Sequence, residues 1–85
     1  MEIVINTEKK EHMGFISELM DKLKYENISK IELNHSQHSD DEYFLYVFIE
    51  DYVFLGLVQE LIEMTGDDDP IINMELKYVM FSVEK

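Results

Sequence analysis

Glu42-Tyr43-Phe44-Leu45-Tyr46-Val47-Phe48-Ile49-Glu50 is the stretch that decides the fold. Aromatic and branched apolar residues fill it, a composition that suits a pleated strand. Successive side chains of a strand point to opposite faces. Leu45, Val47 and Ile49 therefore share one face, and Phe44, Tyr46 and Phe48 share the other. Both sets are apolar, so this strand is predicted to lie in the middle of a sheet.

Toward the N-terminus, His35 to Asp41 is polar and turn-rich and reads as a hairpin loop. Residues 28–35 alternate, with Ile31 and Leu33 on one side and Lys30 and Glu32 on the other. That is the pattern of a half-buried edge strand. Met13, Ile16, Leu19, Met20 and Leu23 recur at spacings of three and four and predict an amphipathic helix from about residue 8 to 25. Thr7 is its candidate N-cap, Glu8 and Glu11 suit the positive end of the helix dipole, and Asn27 marks its stop. Residues 2–6 read as a short first strand.

Toward the C-terminus, Asp51 can cap a second helix with an apolar face of Val53, Phe54, Leu57, Val58, Leu61 and Ile62. Gln59, Glu60 and Glu63 form its wet face, and Gly66 stands where a helix-ending glycine belongs. Asp67 to Pro70 is a loop, and residues 71–84 read as one long last strand. The order strand, helix, strand, strand, helix, strand predicts a single α+β domain over residues 1–85. Its expected form is the ferredoxin-like split βαββαβ fold. Right-handed crossovers then place two helices on one face of a four-stranded antiparallel sheet, with strands 1 and 3 central.

Composition narrows function. The chain has 85 residues, ten aromatics and no cysteine. A domain this size buries roughly two-thirds of its unfolded surface, enough to fold with little to spare. Without cysteine, disulfides and thiolate metal sites are ruled out. No signal pattern and no long apolar span are evident, so the expectation is a cytoplasmic protein that does not enter a membrane. Nineteen acids face seven lysines, with no arginine, for a net charge of −12. Residues 1–39 hold seven acids and five lysines, net −2, and residues 40–85 hold twelve acids and two lysines, net −10. Phosphate binding relies on Lys and Arg, so direct nucleic-acid binding is not expected.

Chemistry-bearing patterns are sparse. Ser17, Ser29, Ser36, Ser39 and Ser82 sit in no nucleophile-elbow motif, and His12 has no obvious partner base. His35, His38, Asp40 and Asp41 have residue types that ligate divalent metals, but in a polar loop they read better as a solvated turn. Asp67 to Asp69 lacks the spaced ligands and terminal Glu of a calcium loop. No enzyme activity, cofactor or metal is expected.

Two surfaces remain. Glu50, Asp51, Glu60, Glu63, Asp67, Asp68, Asp69 and Glu75 form a candidate acidic docking surface around the second helix. Such a surface can imitate the phosphate row of a nucleic acid and steer a basic protein. Solubility alone is the competing account of the same charge. Phe44, Tyr46 and Phe48, with Tyr78 from the last strand, form a candidate aromatic face for a protein partner or a second copy. The last strand is also expected at an edge, where consecutive Tyr78, Val79, Met80 and Phe81 invite pairing and Lys77 offers the main protection.

Tyr43 to Phe48 resembles the aromatic central strand of the RNA-recognition motif, whose rings stack bases. The glycine and basic residue expected ahead of those aromatics are missing, and Glu42 stands there instead. In size, acidity and lack of catalytic apparatus, the chain resembles anti-CRISPR proteins, other DNA-mimic inhibitors and bacterial immunity proteins. That likeness implies a phage or mobile-element antagonist of a basic nuclease, polymerase or toxin in a bacterial host cell. The alternative is a small dimeric regulatory or ligand-binding module. It resembles amino-acid-sensing domains of the same topology in outline, although their glycine loops are not evident.

Overall fold

The computed structural model describes residues 2–7, 13–22, 28–39, 41–49 and 55–84. Its elements are β1 (Glu2–Asn6), α1 (Met13–Lys22), β2 (Ile28–His35), β3 (Glu42–Ile49), α2 (Leu55–Thr65), β4 (Ile71–Asn73) and β5 (Tyr78–Glu84). The strands form one mixed sheet in the order β1-β2-β3-β5-β4. β1 runs parallel to β2, and the other neighbours are antiparallel. The chain is α+β, and β3 is central as its two apolar faces require.

Several expectations change. The sheet has five strands, not four, and it is mixed. The long last strand over 71–84 is a hairpin, β4 and β5, joined by a turn over residues 74–77. The Asn73 side-chain oxygen accepts the Leu76 amide at 2.8 Å, a turn-nucleating bond that asparagine makes readily. Lys77 then adopts φ 57°, which turns the chain back into β5. The Ile49 amide donates to the Lys77 carbonyl at 2.9 Å and ties the turn to the end of β3.

The first strand is also not where the expected order puts it. β5 pairs along all of β3, from Glu42 opposite Glu84 to Phe48 opposite Tyr78. With β2 on one edge of β3 and β5 on the other, β1 has the outer edge of β2 left to pair with. It pairs there in parallel, as a strand does after one helical crossover. β1 is thus an edge rather than a centre, and β2, expected at an edge, is paired on both sides. β5, also expected at an edge, lies between β3 and β4. The arrangement with strands 1 and 3 both central is not the one observed.

One face of the sheet carries the core. Ile31 and Leu33 of β2, Tyr43, Leu45 and Val47 of β3, and Val79 and Phe81 of β5 are fully buried. Ile16 of α1 and Val58 and Leu61 of α2 join the same cluster, so both helices contribute to this one face. Met20, Ile62 and Met64 pack at its margin. Burying one such side chain contributes about 1.5–3 kcal/mol, so even this small cluster can offset the cost of ordering the chain. Gly66, at φ 81°, ends α2, and its amide donates to the Ile62 carbonyl at 2.9 Å. The glycine stop predicted for this helix therefore has the left-handed geometry such a stop needs. The expected capping roles of Glu8, Glu11 and Asn27, the Leu23 position of the first helix, and the Asp51 cap with Val53 and Phe54 of the second lie outside the described residues.

Candidate binding surfaces

The face turned away from the core is built by the alternate residues of the same strands. Phe44, Tyr46 and Phe48 come from β3, and Tyr78, Met80 and Ser82 come from β5. All six are half-buried. The register sets Tyr46 opposite Met80 and Phe48 opposite Tyr78, so the rings of neighbouring strands meet. Tyr78 lies 5.3 Å from Tyr46, edge to face at 73°, and 5.3 Å from Phe48 at 60°. These are favourable aromatic geometries. The Lys30 ammonium stands 5.3 Å from the centre of the Phe48 ring and 3.5 Å from a Glu32 carboxylate oxygen. Toward β1 the face turns polar, because the Asn6 amide donates to Asn34 Oδ1 at 2.6 Å and Asn34 Nδ2 donates to Glu32 at 3.2 Å. The structure thus places the predicted Phe44, Tyr46, Phe48 and Tyr78 on one face and packs Tyr46 and Phe48 against Tyr78.

The acids divide by role. Glu60 and Glu63 are exposed on α2, three positions apart and so on the same side of the helix. Asp68 and Asp69 are exposed in the loop after α2, and Glu75 is exposed in the β4–β5 turn. Asp67 is different. It is half-buried, its Oδ2 accepts the Ser82 amide at 2.8 Å, and its Oδ1 accepts the Asp69 amide at 3.0 Å. Asp67 therefore pins the loop alongside β5 where β4 has not yet begun. Thr65 supports the same corner, donating its hydroxyl to the Leu61 carbonyl at 2.8 Å and accepting the Asp67 amide at 3.3 Å. Thr65, Gly66, Asp67, Asp68, Ser82 and Glu84 line one recess of about 400 Å³. Glu50 and Asp51 lie outside the described residues.

Sequence reasoning passed over two features. Glu84 lies directly opposite Glu42, a like-charged cross-strand pair that disfavours the sheet unless something offsets it. The Ser82 hydroxyl contacts Glu42 at 3.4 Å. The pairing register, which no single segment reveals, creates this juxtaposition. The second feature is the set of exposed apolar side chains in the hairpin, Ile71, Ile72, Met74 and Leu76. The signal for it was Asn73 beside an apolar run, a turn marker without the usual glycine.

The loop that carried the metal candidates is organised as a turn. The His38 amide donates to the buried Ser36 hydroxyl at 3.1 Å, the Ser36 amide donates to the Glu42 carbonyl at 2.9 Å, and the His35 ring packs 4.9 Å from Tyr43. Asp40 lies outside the described residues. Among the described residues, no group of three or more His, Asp or Glu is placed to hold a metal ion. No helix among them is long and apolar enough to cross a membrane. No family model, curated protein or solved structure matches the chain.

Proposed function

We propose that this chain is a non-catalytic binding protein that docks on, and thereby inhibits, a positively charged protein of the nucleic-acid-handling kind. The observation that carries this reading is the exposure of Glu60 and Glu63 on α2, Asp68 and Asp69 in the loop after it and Glu75 in the β4–β5 turn, in a chain with net charge −12 and no arginine. Carboxylates held in water on α2 and the loop after it keep their field available to a partner. Fixed charge of this density attracts a basic surface and accelerates encounter. The same field repels phosphates, which argues against nucleic acid itself as the ligand. An antagonist of the anti-CRISPR, DNA-mimic or immunity kind fits these properties.

The test is capture on the immobilised chain from a bacterial lysate, followed by affinity measurement with the recovered protein. Binding of a basic nuclease, polymerase or toxin should weaken steeply between low and high salt, because exposed charges are screened over about 8–10 Å near physiological ionic strength. Glu60→Lys, Glu63→Lys and Asp68→Lys combined should abolish it. Binding that survives those reversals refutes the reading.

A second reading has its own supporting observation, the clustering of Tyr46, Phe48 and Tyr78 on a face away from the helices. On that reading the chain is a small regulatory or ligand-binding module that dimerises through this face. Phe44→Ala or Tyr46→Ala would then dissociate the dimer in sedimentation, and the α2 reversals would not.

A further inference from the structure

We propose that the β4–β5 hairpin is a docking element for an extended segment of a partner protein that carries alternating apolar and basic side chains. The proposal rests on the basic-partner reading above and narrows it to one surface and one ligand chemistry. Among the described residues, seven large apolar side chains are exposed: Ile3, Ile5, Met13, Ile71, Ile72, Met74 and Leu76. Four of them fall within residues 71–76. Met74 is 67% exposed and Leu76 62%, the two highest values in that set. So many exposed apolar side chains within six residues of a small acidic protein are a departure from a solvated surface, with Ile71 and Ile72 on opposite faces of β4 and Met74 and Leu76 in the turn.

Hydrogen bonds fix the backbone of the turn that carries Met74 and Leu76. The bond from Leu76 N to Asn73 Oδ1, the bond from Ile49 N to Lys77 O, and a 3.4 Å contact between Asn73 Nδ2 and the Tyr78 hydroxyl fix the turn from three directions. An anchor already fixed in position loses less entropy on binding. β4 is also the last strand of the sheet among the described residues, with β5 on its inner side. Its outer backbone groups can pair with an added strand.

Charge selects the occupant. Asp67, Asp68 and Asp69 precede β4 and Glu75 follows it, against Lys77 alone, so residues 67–77 carry net −3. A second copy would bring another −3 against them, which disfavours self-pairing. An anionic membrane is repelled in the same way. An apolar segment with exposed carboxylates just before it, at Asp68 and Asp69, and within it, at Glu75, fits an extended segment that carries both apolar and Lys or Arg side chains. β4 has three residues, so the ladder it offers is short. Met74 and Leu76 must therefore supply much of the contact.

The experiment titrates the isotope-labelled full chain with the synthetic peptide Lys-Val-Arg-Ile-Lys-Val-Arg and follows backbone amides by NMR. Two control peptides replace the apolar residues with Ser or the basic residues with Glu. Shifts concentrated at residues 71–76, and at least a tenfold affinity loss with either control, are expected. The Met74→Ser/Leu76→Ser double variant changes two exposed side chains. It should keep its circular dichroism and lose at least tenfold in affinity. Shifts confined to α2 around Glu60 and Glu63, with the double variant binding normally, overturn the hairpin but leave the basic-partner reading intact. No binding at low salt overturns the hairpin, while the lysate capture still decides the broader reading independently. Concentration-dependent sedimentation that Leu76→Ser abolishes overturns the proposal by making a second copy the occupant.

Discussion

Replacing Asp67 with alanine separates two jobs that an acidic residue can do in this protein. Its carboxylate accepts the Ser82 amide at 2.8 Å and the Asp69 amide at 3.0 Å. Hydrogen bonds to a charged group contribute about 1.5–3 kcal/mol when sheltered. The Ser82 bond is part-buried and the Asp69 bond is exposed, so the first dominates and the second adds a few tenths. Removing one acid from a chain of net −12 also relieves self-repulsion slightly, which offsets a little of the loss. Asp67→Ala should therefore cost about 2 kcal/mol. With an unfolding entropy near 0.18 kcal/mol/K for a domain of this length, Tm should fall by about 11 °C. Asp67→Asn loses the same charge but keeps one acceptor oxygen, and it should cost about half as much. Asp68→Ala and Asp69→Ala remove exposed side chains to which no structural bond is assigned among the described residues. They should stay within about 0.5 kcal/mol of the parent. Thermal unfolding by circular dichroism at fixed salt measures all four. A drop of under about 2 °C for Asp67→Ala, or an equal drop for Asp68→Ala, refutes the assignment of Asp67 as the tie between loop and sheet.

Three further perturbations test the fold. Lys77 sits at φ 57°, a region that costs a side-chain-bearing residue energy, so Lys77→Gly should raise Tm by a few degrees and Lys77→Val should lower it; equal behaviour of the two would contradict the turn geometry. Leu45 is fully buried at the centre of the sheet, so Leu45→Ala should cost roughly 2–5 kcal/mol in denaturant titration, whereas Phe44→Ala, on the half-buried face, should cost clearly less; the reverse order would mean that the two faces are assigned the wrong way round. Glu84→Lys should turn the like-charged pair with Glu42 into an attractive one and stabilise by about 0.5 kcal/mol, and a loss of stability on that change would argue against the β3–β5 register.

Much of the local structure is legible in single segments. Leu45, Val47 and Ile49 alternate with Phe44, Tyr46 and Phe48, and the structure buries the first set and leaves the second half-buried. Ile31 and Leu33 fall on the covered face, as their alternation requires. Val58 and Leu61 mark the inward side of α2, and Gly66 marks its end. The hairpin at residues 74–77 escaped because its turn lacks glycine. Lys77 takes the left-handed backbone conformation instead, with the Asn73 side chain closing the turn. Missing that turn turned two strands into one, whereas the strand order differs because β5, not β1, pairs beside β3.

The candidate surfaces divide in the same way. That Glu60, Glu63, Asp68 and Asp69 are solvated follows from charge, because an unpaired carboxylate is costly to bury. That Asp67 is a structural acceptor while its neighbours are not depends on Ser82, fifteen residues away. The exposure of Ile71, Ile72, Met74 and Leu76 depends on β4 lying at the edge of the sheet.

The amino-acid order by itself determined the number of helices seen here, the existence and inward sides of β2 and β3, and the acidic field of the second half. Each of these rests on side-chain periodicity or formal charge, which are properties of short stretches. Only the tertiary structure decided which strand neighbours which, which carboxylate becomes a backbone acceptor, and which apolar side chains stay in water. Those outcomes follow from hydrogen-bond pairing between distant segments. β3 has two edges, and once β2 and β5 occupy them, the positions of β1, β4 and everything they carry are fixed.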